Sequence, residues 1–279
     1  MRVTIFGASG LLGRALMREW SGDEVAGLNS QDADIRDAGQ VQSAIQKTRP
    51  QWIVLAAAFT DVDGAESNAN RAWSVNRDGA VNVARAAKQA GARLVFLSSD
   101  YVFDGKKKSP YETEDPRNPQ GVYARSKAEA ETRLLDVLPG VCIARTSWLF
   151  GVGGRCFPDT ILKLAASRPA LDVVDDQRGC PTYCTDLARG IIALCRKRVS
   201  GIVHITNAGD CSWFEFARAI VNESGLTTEI RPVSTEQMPR PAPRPAYSVL
   251  SAKSLESWDV KMPSWQDALQ RYLKERSTS

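Results

Sequence analysis

Val3-Thr4-Ile5-Phe6-Gly7-Ala8-Ser9-Gly10-Leu11-Leu12-Gly13 is the stretch that decides the fold. A short apolar, β-prone run enters three glycines at three-residue spacing, and the helical pattern Leu11–Trp20 follows directly. Strand, tight turn and helix in that order form a pyrophosphate cradle. Gly7 and Gly10 let the backbone turn sharply and approach an anion, Gly13 lets the helix pack closely on the sheet, and the helix N-terminus offers N–H groups to negative charge. Gly7, Ser9, Gly10, Leu11, Leu12 and Gly13 are therefore the candidate contacts to a dinucleotide.

Outward from this turn the first 150 residues alternate. Strand candidates are Val3–Phe6, Glu24–Leu28, Trp52–Ala56, Leu94–Ser98 and Cys142–Arg145, apolar runs of the kind found in strands buried on both faces. Helix candidates are Leu11–Trp20, Val41–Thr48, Ala69–Ala90 and Tyr123–Leu138, with Pro50, Gly91 and Pro139 as stops. The alternation predicts an α/β fold, a Rossmann-type doubly wound parallel sheet. Beyond residue 150 the pattern predicts a smaller, partly interleaved α/β lobe for substrate. It comprises residues 151–183 and 208–279, while 184–207 returns to the dinucleotide-binding domain 1–150. Ser212-Trp213-Phe214-Glu215 reads as a capping box opening a helix to Ser224, and Ser264 as the cap of a last helix to about Glu275. Five prolines between Arg231 and Pro245 argue against regular structure there.

Composition narrows the function. With 43% hydrophobic and 24% charged residues in 279, the chain is neither disordered nor a disulfide scaffold. The longest apolar run, Trp52–Phe59, is 8 residues, against roughly 20 for a membrane-spanning helix. No secretory signal is read at the N-terminus, six cysteines without a C-x-x-C pair read as thiols, and a cytoplasmic protein is expected. A net charge of +4, with Lys106-Lys107-Lys108 confined to a loop, is too small and too local for a nucleic-acid face. One histidine, His204, cannot build a multi-histidine zinc site, and no Gly-x-Ser-x-Gly elbow occurs. No metal site is expected.

Two further motifs carry chemistry. Tyr123-Ala124-Arg125-Ser126-Lys127 places a phenol and an ammonium one helical turn apart on one face. The ammonium is expected to lower the phenol's pKa from near 10, so that Tyr123 exchanges a proton with a carbonyl or alcohol oxygen. Ser99 ends the fourth strand, where open parallel sheets bind ligands, and its hydroxyl suits a substrate carbonyl. No acid follows the second strand: Leu28, Asn29 and Ser30 stand there. Arg14, just past the third glycine, is placed to meet a 2′-phosphate. NADPH is the expected cofactor, with NADH as the alternative.

The G-x-x-G-x-x-G spacing resembles the extended branch of the short-chain dehydrogenase/reductase superfamily. Ala56-Ala57-Ala58-Phe59-Thr60-Asp61-Val62-Asp63, Ser98-Ser99-Asp100-Tyr101-Val102-Phe103-Asp104-Gly105, Arg145-Thr146-Ser147-Trp148 and Asp176-Gln177-Arg178-Gly179-Cys180-Pro181-Thr182 narrow the resemblance to the dTDP-4-dehydrorhamnose reductase family, over essentially the whole chain. The resemblance implies reduction of the C4 ketone of dTDP-4-dehydro-L-rhamnose. Hydride comes from the nicotinamide and the proton from Tyr123, while Lys127 also orients the ribose. It implies Asp34 and Ile35 beside the adenine and Ala56, Ala57, Ala58 and Thr60 along the cofactor. Ser99, Asp100, Tyr101, Trp148 and Arg244 fall on the nucleotide sugar.

Three positions depart from the family pattern. Ser99 replaces a threonine, Phe59 stands where a histidine is usual, and Thr185 takes the place of a glutamate that binds Mg²⁺ at some members' dimer interface. A homodimer is left open. Two alternatives also stay open: an NADP-binding regulatory subunit like that of methionine adenosyltransferase, and a reductase or epimerase of another nucleotide deoxysugar.

Overall fold

The structure is a computed structural model that describes residues 1–278. Its first half runs β1 Arg2–Phe6, α1 Leu11–Glu19, β2 Glu24–Leu28, α2 Ala38–Thr48, β3 Trp52–Leu55, α3 Val62–Ser67, α4 Ala69–Trp73, α5 Ala80–Ala90, β4 Arg93–Ser99, α6 Gly121–Val137 and β5 Cys142–Thr146. The second half runs β6 Leu149–Phe150, α7 Phe157–Ala165, β7 Ala170–Val174, β8 Arg178–Gly179, β9 Thr182–Tyr183, α8 Cys184–Arg196 and β10 Gly201–His204. It continues with β11 Cys211–Ser212, α9 Trp213–Glu223, β12 Glu229–Val233, α10 Lys253–Glu256 and α11 Trp265–Ser277.

Six parallel strands form the main sheet in the order β10-β5-β4-β3-β1-β2. The order reverses between β1 and β3, which opens a crevice at their carboxyl ends. Both faces are covered. Leu16, Leu187 and Ile191 of α1 and α8 bury one side, and Val41, Val83 and Leu134 of α2, α5 and α6 bury the other. Strands without an exposed face need no polar alternation, which is why these read as unbroken apolar runs.

A third, aromatic-rich core holds the smaller lobe: Phe150, Tyr183, Phe216, Trp265 and Tyr272 pack together from β6, β9, α9 and α11. Ser212 caps α9, accepting from the Glu215 amide at 3.0 Å while the Glu215 carboxylate accepts from the Ser212 amide at 2.8 Å. Among the described residues no helix is long and apolar enough to cross a membrane.

Two expectations need correction and one needs refinement. Ala69–Ala90 is helical throughout, but residues Ser74–Gly79 widen into a π-helical turn between α4 and α5. There the buried Asn76 accepts from the Phe59 amide at 2.8 Å and donates to the Phe59 carbonyl at 3.1 Å and the Ser126 hydroxyl at 3.0 Å. Tertiary bonds of this kind override a uniform helical pattern. Arg231 and Pro232 lie within a strand, because β12 pairs only with β7 and a proline costs nothing on an edge. Residues 208–279 are not all in the smaller lobe, for Leu255 and Val260 join the core under the main sheet.

Candidate active site

A cleft of about 750 Å³ runs along the carboxyl ends of the main sheet and continues toward the smaller lobe. Its floor is the turn between β1 and α1. Gly7 has φ +89°, and a Cβ there would lie 2.5 Å from the Ala57 nitrogen, so the turn can touch the chain leaving β3 only as glycine. A Cβ on Gly13 would sit 2.1 Å from the Gly7 carbonyl oxygen. Gly10 caps α1 with no side chain to occupy its amides, and the first turn carries no acid. Exposed helix N–H groups over a glycine floor fit a dinucleotide pyrophosphate.

All the proposed cofactor contacts line this one cleft: Gly7, Ser9, Gly10, Leu11, Leu12, Gly13, Asp34, Ile35, Ala56, Ala57, Ala58 and Thr60, with Tyr123 and Lys127. Ser99, Asp100, Tyr101 and Trp148 line its far end. Two residues do not. The Arg14 guanidinium turns back onto the Ser9 carbonyl at 2.9 Å. Arg244 is tied to Asp63 at 2.9 Å and to the Ala242 carbonyl at 3.2 Å.

Tyr123 and Lys127 share a face of α6, above the end of β4. Lys127 is 2% exposed, its ammonium donating to the Leu97 carbonyl at 2.5 Å and standing 4.3 Å from the Phe96 ring centre. Burial drives its pKa down to about 7, and the Glu131 carboxylate draws it back up. The expected lowering of the phenol is not found. Burial pushes Tyr123 up to about 12, eased by the Ser99 hydroxyl and raised further by Asp100. The Lys127 ammonium bonds the strand carbonyl and not the phenol, so Tyr123 is held as the neutral acid.

Ser99 donates to Asp100 Oδ1 at 2.8 Å and accepts from the Tyr101 amide at 3.1 Å. Burial raises Asp100 to about 6, against the Ser248 and Ser99 hydroxyls that pull it down, and its Oδ2 is buried without a hydrogen-bond partner. Tyr101 meets the Tyr123 ring edge-on at 6.0 Å. Trp148, with φ +46°, stacks on Trp213 at 3.5 Å between ring centres, and Phe157 backs Trp213 at 4.5 Å. A Cβ on Gly179 would strike the Trp148 ring at 2.5 Å, which explains a glycine within Asp176–Thr182.

Sequence reasoning missed Arg36, Arg155 and Trp213, which also line the cleft. Arg36 stands two residues past Asp34 and pairs with it at 2.5 Å. Asn29, at the end of β2, spends its side-chain oxygen on the Gln31 amide at 2.7 Å.

A glycine cradle at the sheet's switch point, opening onto a helix-borne Tyr-Lys pair, defines a dinucleotide-dependent oxidoreductase. The chain belongs to the family described as the RmlD substrate binding domain, whose model matches residues 1–278, and so to the dTDP-4-dehydrorhamnose reductases of the extended short-chain dehydrogenase/reductase superfamily. It is 41% identical to the spore coat polysaccharide biosynthesis protein SpsK of Bacillus subtilis, over 100% of this chain and 99% of that one. It is 42% identical to a dTDP-4-dehydrorhamnose reductase of Mycobacterium tuberculosis, over 90% of this chain and 85% of that one. The crystal structure of a dTDP-4-dehydrorhamnose reductase from Bacillus anthracis in complex with NADP superposes with a TM-score of 0.96. That match has 38% identity and covers 98% of this chain and 99% of the other.

Proposed function

We propose that the chain reduces the C4 ketone of dTDP-4-dehydro-L-rhamnose to the alcohol of dTDP-L-rhamnose, with NADPH as reductant. The observation that carries this reading is the convergence of Tyr123, Ser99 and Asp100 with the glycine turn in one cleft. The reduced nicotinamide, when bound, supplies the hydride. The chain's own residues do the rest. The Ser99 hydroxyl, which donates to Asp100 in this structure, turns its one proton to the substrate carbonyl and polarises it. Tyr123, neutral because its pKa stands near 12, donates the proton to that oxygen, since an alkoxide is a stronger base than a phenolate. Lys127 holds the cofactor's ribose and steadies the phenolate left after transfer.

Asp100 Oδ2, a buried acceptor without a partner, suits a sugar hydroxyl. Trp148 and Trp213 give the sugar nucleotide an aromatic wall. NADPH is preferred over NADH because Asn29 and Ser30, not a carboxylate, line the end of β2 and the Arg36 guanidinium lies beside them on the cleft wall. The purified chain is tested with NADPH and enzymatically made dTDP-4-dehydro-L-rhamnose. Loss of NADPH absorbance with formation of dTDP-L-rhamnose is expected. Tight NADPH binding without turnover on that ketone would overturn the substrate assignment.

A further inference from the structure

α6 carries Tyr123, Lys127 and Glu131 at four-residue spacing, and Glu131 is the member that does not reach the cleft. It is fully buried, as is Arg145 at 1% exposure. Its Oε1 accepts from the Ser98 hydroxyl at 2.5 Å and from Arg145 Nε at 2.9 Å. Its Oε2 accepts from Arg145 Nη2 at 2.7 Å and Arg117 Nη1 at 3.1 Å. Ser98 and Arg145 are direct partners in the β4–β5 register, and the next pair, Ser99 and Thr146, lines the cleft. One carboxylate thus ties the Tyr-Lys helix to two strands at the edge of the site, where Ser98 itself lines the cleft.

Stability alone does not account for it, because a buried ion pair is often no better than apolar residues of the same volume. The neighbouring ammonium does need an anion. Around Lys127 stand Tyr123 and Glu131 on its own helix, the Leu97 carbonyl and Phe96 ring on β4, and Asp100 on the same cleft wall. Behind Glu131 stand Arg145 on β5, Arg117 ahead of α6, and His204 on β10, whose Nε2 is 3.4 Å from Arg145 Nη1.

We propose that Glu131, one helical turn beyond Lys127 on α6 and gripped by Arg145 and Arg117, is a positioning residue for the reduction: its carboxylate is the fixed counter-charge of the Lys127 ammonium. The inference rests on the roles given to Tyr123 and Lys127 above. The direction in which Glu131 moves Lys127 supports it.

The test is the pH dependence of kcat/KM and, separately, of NADPH affinity in the wild type, E131Q, R117M and K127M. Wild-type values fall on the alkaline side as Lys127 loses its proton. In E131Q this limb should move about one unit toward lower pH, an effect of the size a nearby opposite charge exerts. Activity near pH 8 then drops roughly tenfold with little change near pH 6. R117M, which strips a cation from the carboxylate, should move the limb upward. Uniform loss at every pH in E131Q would overturn the proposal and leave a scaffold role. If E131Q does not fold, an unmoved limb in R117M overturns it instead. A K127M variant with the wild-type profile would refute the role of Lys127 itself, a failure distinct from that of Glu131.

Discussion

In the proposed mechanism, Tyr123→Phe removes the single oxygen from which the proton leaves. The ring remains, with its edge-on contact to Tyr101 at 6.0 Å, so the cleft keeps its shape. A positioned general acid contributes roughly 10²- to 10⁴-fold. At about 1.36 kcal/mol per tenfold, the variant should lose about 3–5 kcal/mol of transition-state stabilisation, seen in kcat. Stability should change little. The hydroxyl interacts with that of Ser99, and one lost hydrogen bond of about 1 kcal/mol lowers Tm by roughly 2–4 °C. NADPH affinity, measured by fluorescence titration, should match the wild type. With its pKa near 12, Tyr123 stays protonated across the assay range, so the residual activity should keep the wild-type pH profile. Turnover within about tenfold of the wild type would refute the reasoning, since no positioned proton donor is worth so little.

Gly13→Ala sets a methyl 2.1 Å from the Gly7 carbonyl oxygen; displacing the turn should cost about 1–3 kcal/mol of stability and at least tenfold in NADPH affinity, read by calorimetry. Arg36→Ala should weaken NADPH by roughly 10- to 100-fold, the worth of a charge-assisted hydrogen bond, and leave NADH nearly unchanged; equal losses would remove Arg36 from the 2′-phosphate. Two buried groups should oppose one another in acid. His204, held near 3 mainly by burial, stays neutral in the folded chain while the unfolded chain takes up a proton below about 6.5, so stability falls as pH falls, by up to about 1.4 kcal/mol per unit. Asp100, raised to about 6, takes up its proton first in the folded chain, so its contribution rises as pH falls. Their effects offset between roughly pH 6 and 4, and His204→Leu should therefore gain stability relative to the wild type over that window in urea titrations.

The glycine spacing and the Tyr123–Lys127 turn were readable because their chemistry is local: a backbone path only glycine can follow, and two side chains one helical turn apart. The main sheet was readable because strands buried on both faces leave unbroken apolar runs. What escaped depends on distant contacts. The π-turn at Ser74–Gly79 exists for the bonds of Asn76 to Phe59 and Ser126, which no helical periodicity announces. Arg244 had a basic side chain in a suggestive motif, but its partner Asp63 lies 181 positions away in the chain numbering, 244 less 63. Arg14 was plausible on charge and Arg36 was not singled out; only the folded turn shows that the first faces Ser9 and the second lines the cleft. Trp213 had a faint signal, an aromatic opening the capped helix after Ser212, and it gained meaning only through its stack on Trp148.

The chain leaves the main sheet after β5, builds part of the smaller lobe, returns as α8 and β10, and leaves again, with Leu255 and Val260 coming back once more beneath the sheet. Such threading forbids cassette exchange. A recombination event that imports a foreign smaller lobe would need several simultaneous splice points, each cutting a packed core. Under the proposed function, diversification toward other sugars is thereby channelled into point changes on the cleft's far wall, among them Tyr101, Trp148 and Trp213. Engineering of this scaffold faces the same constraint: a chimera has to cut a packed core at each junction, whereas a residue-level library does not.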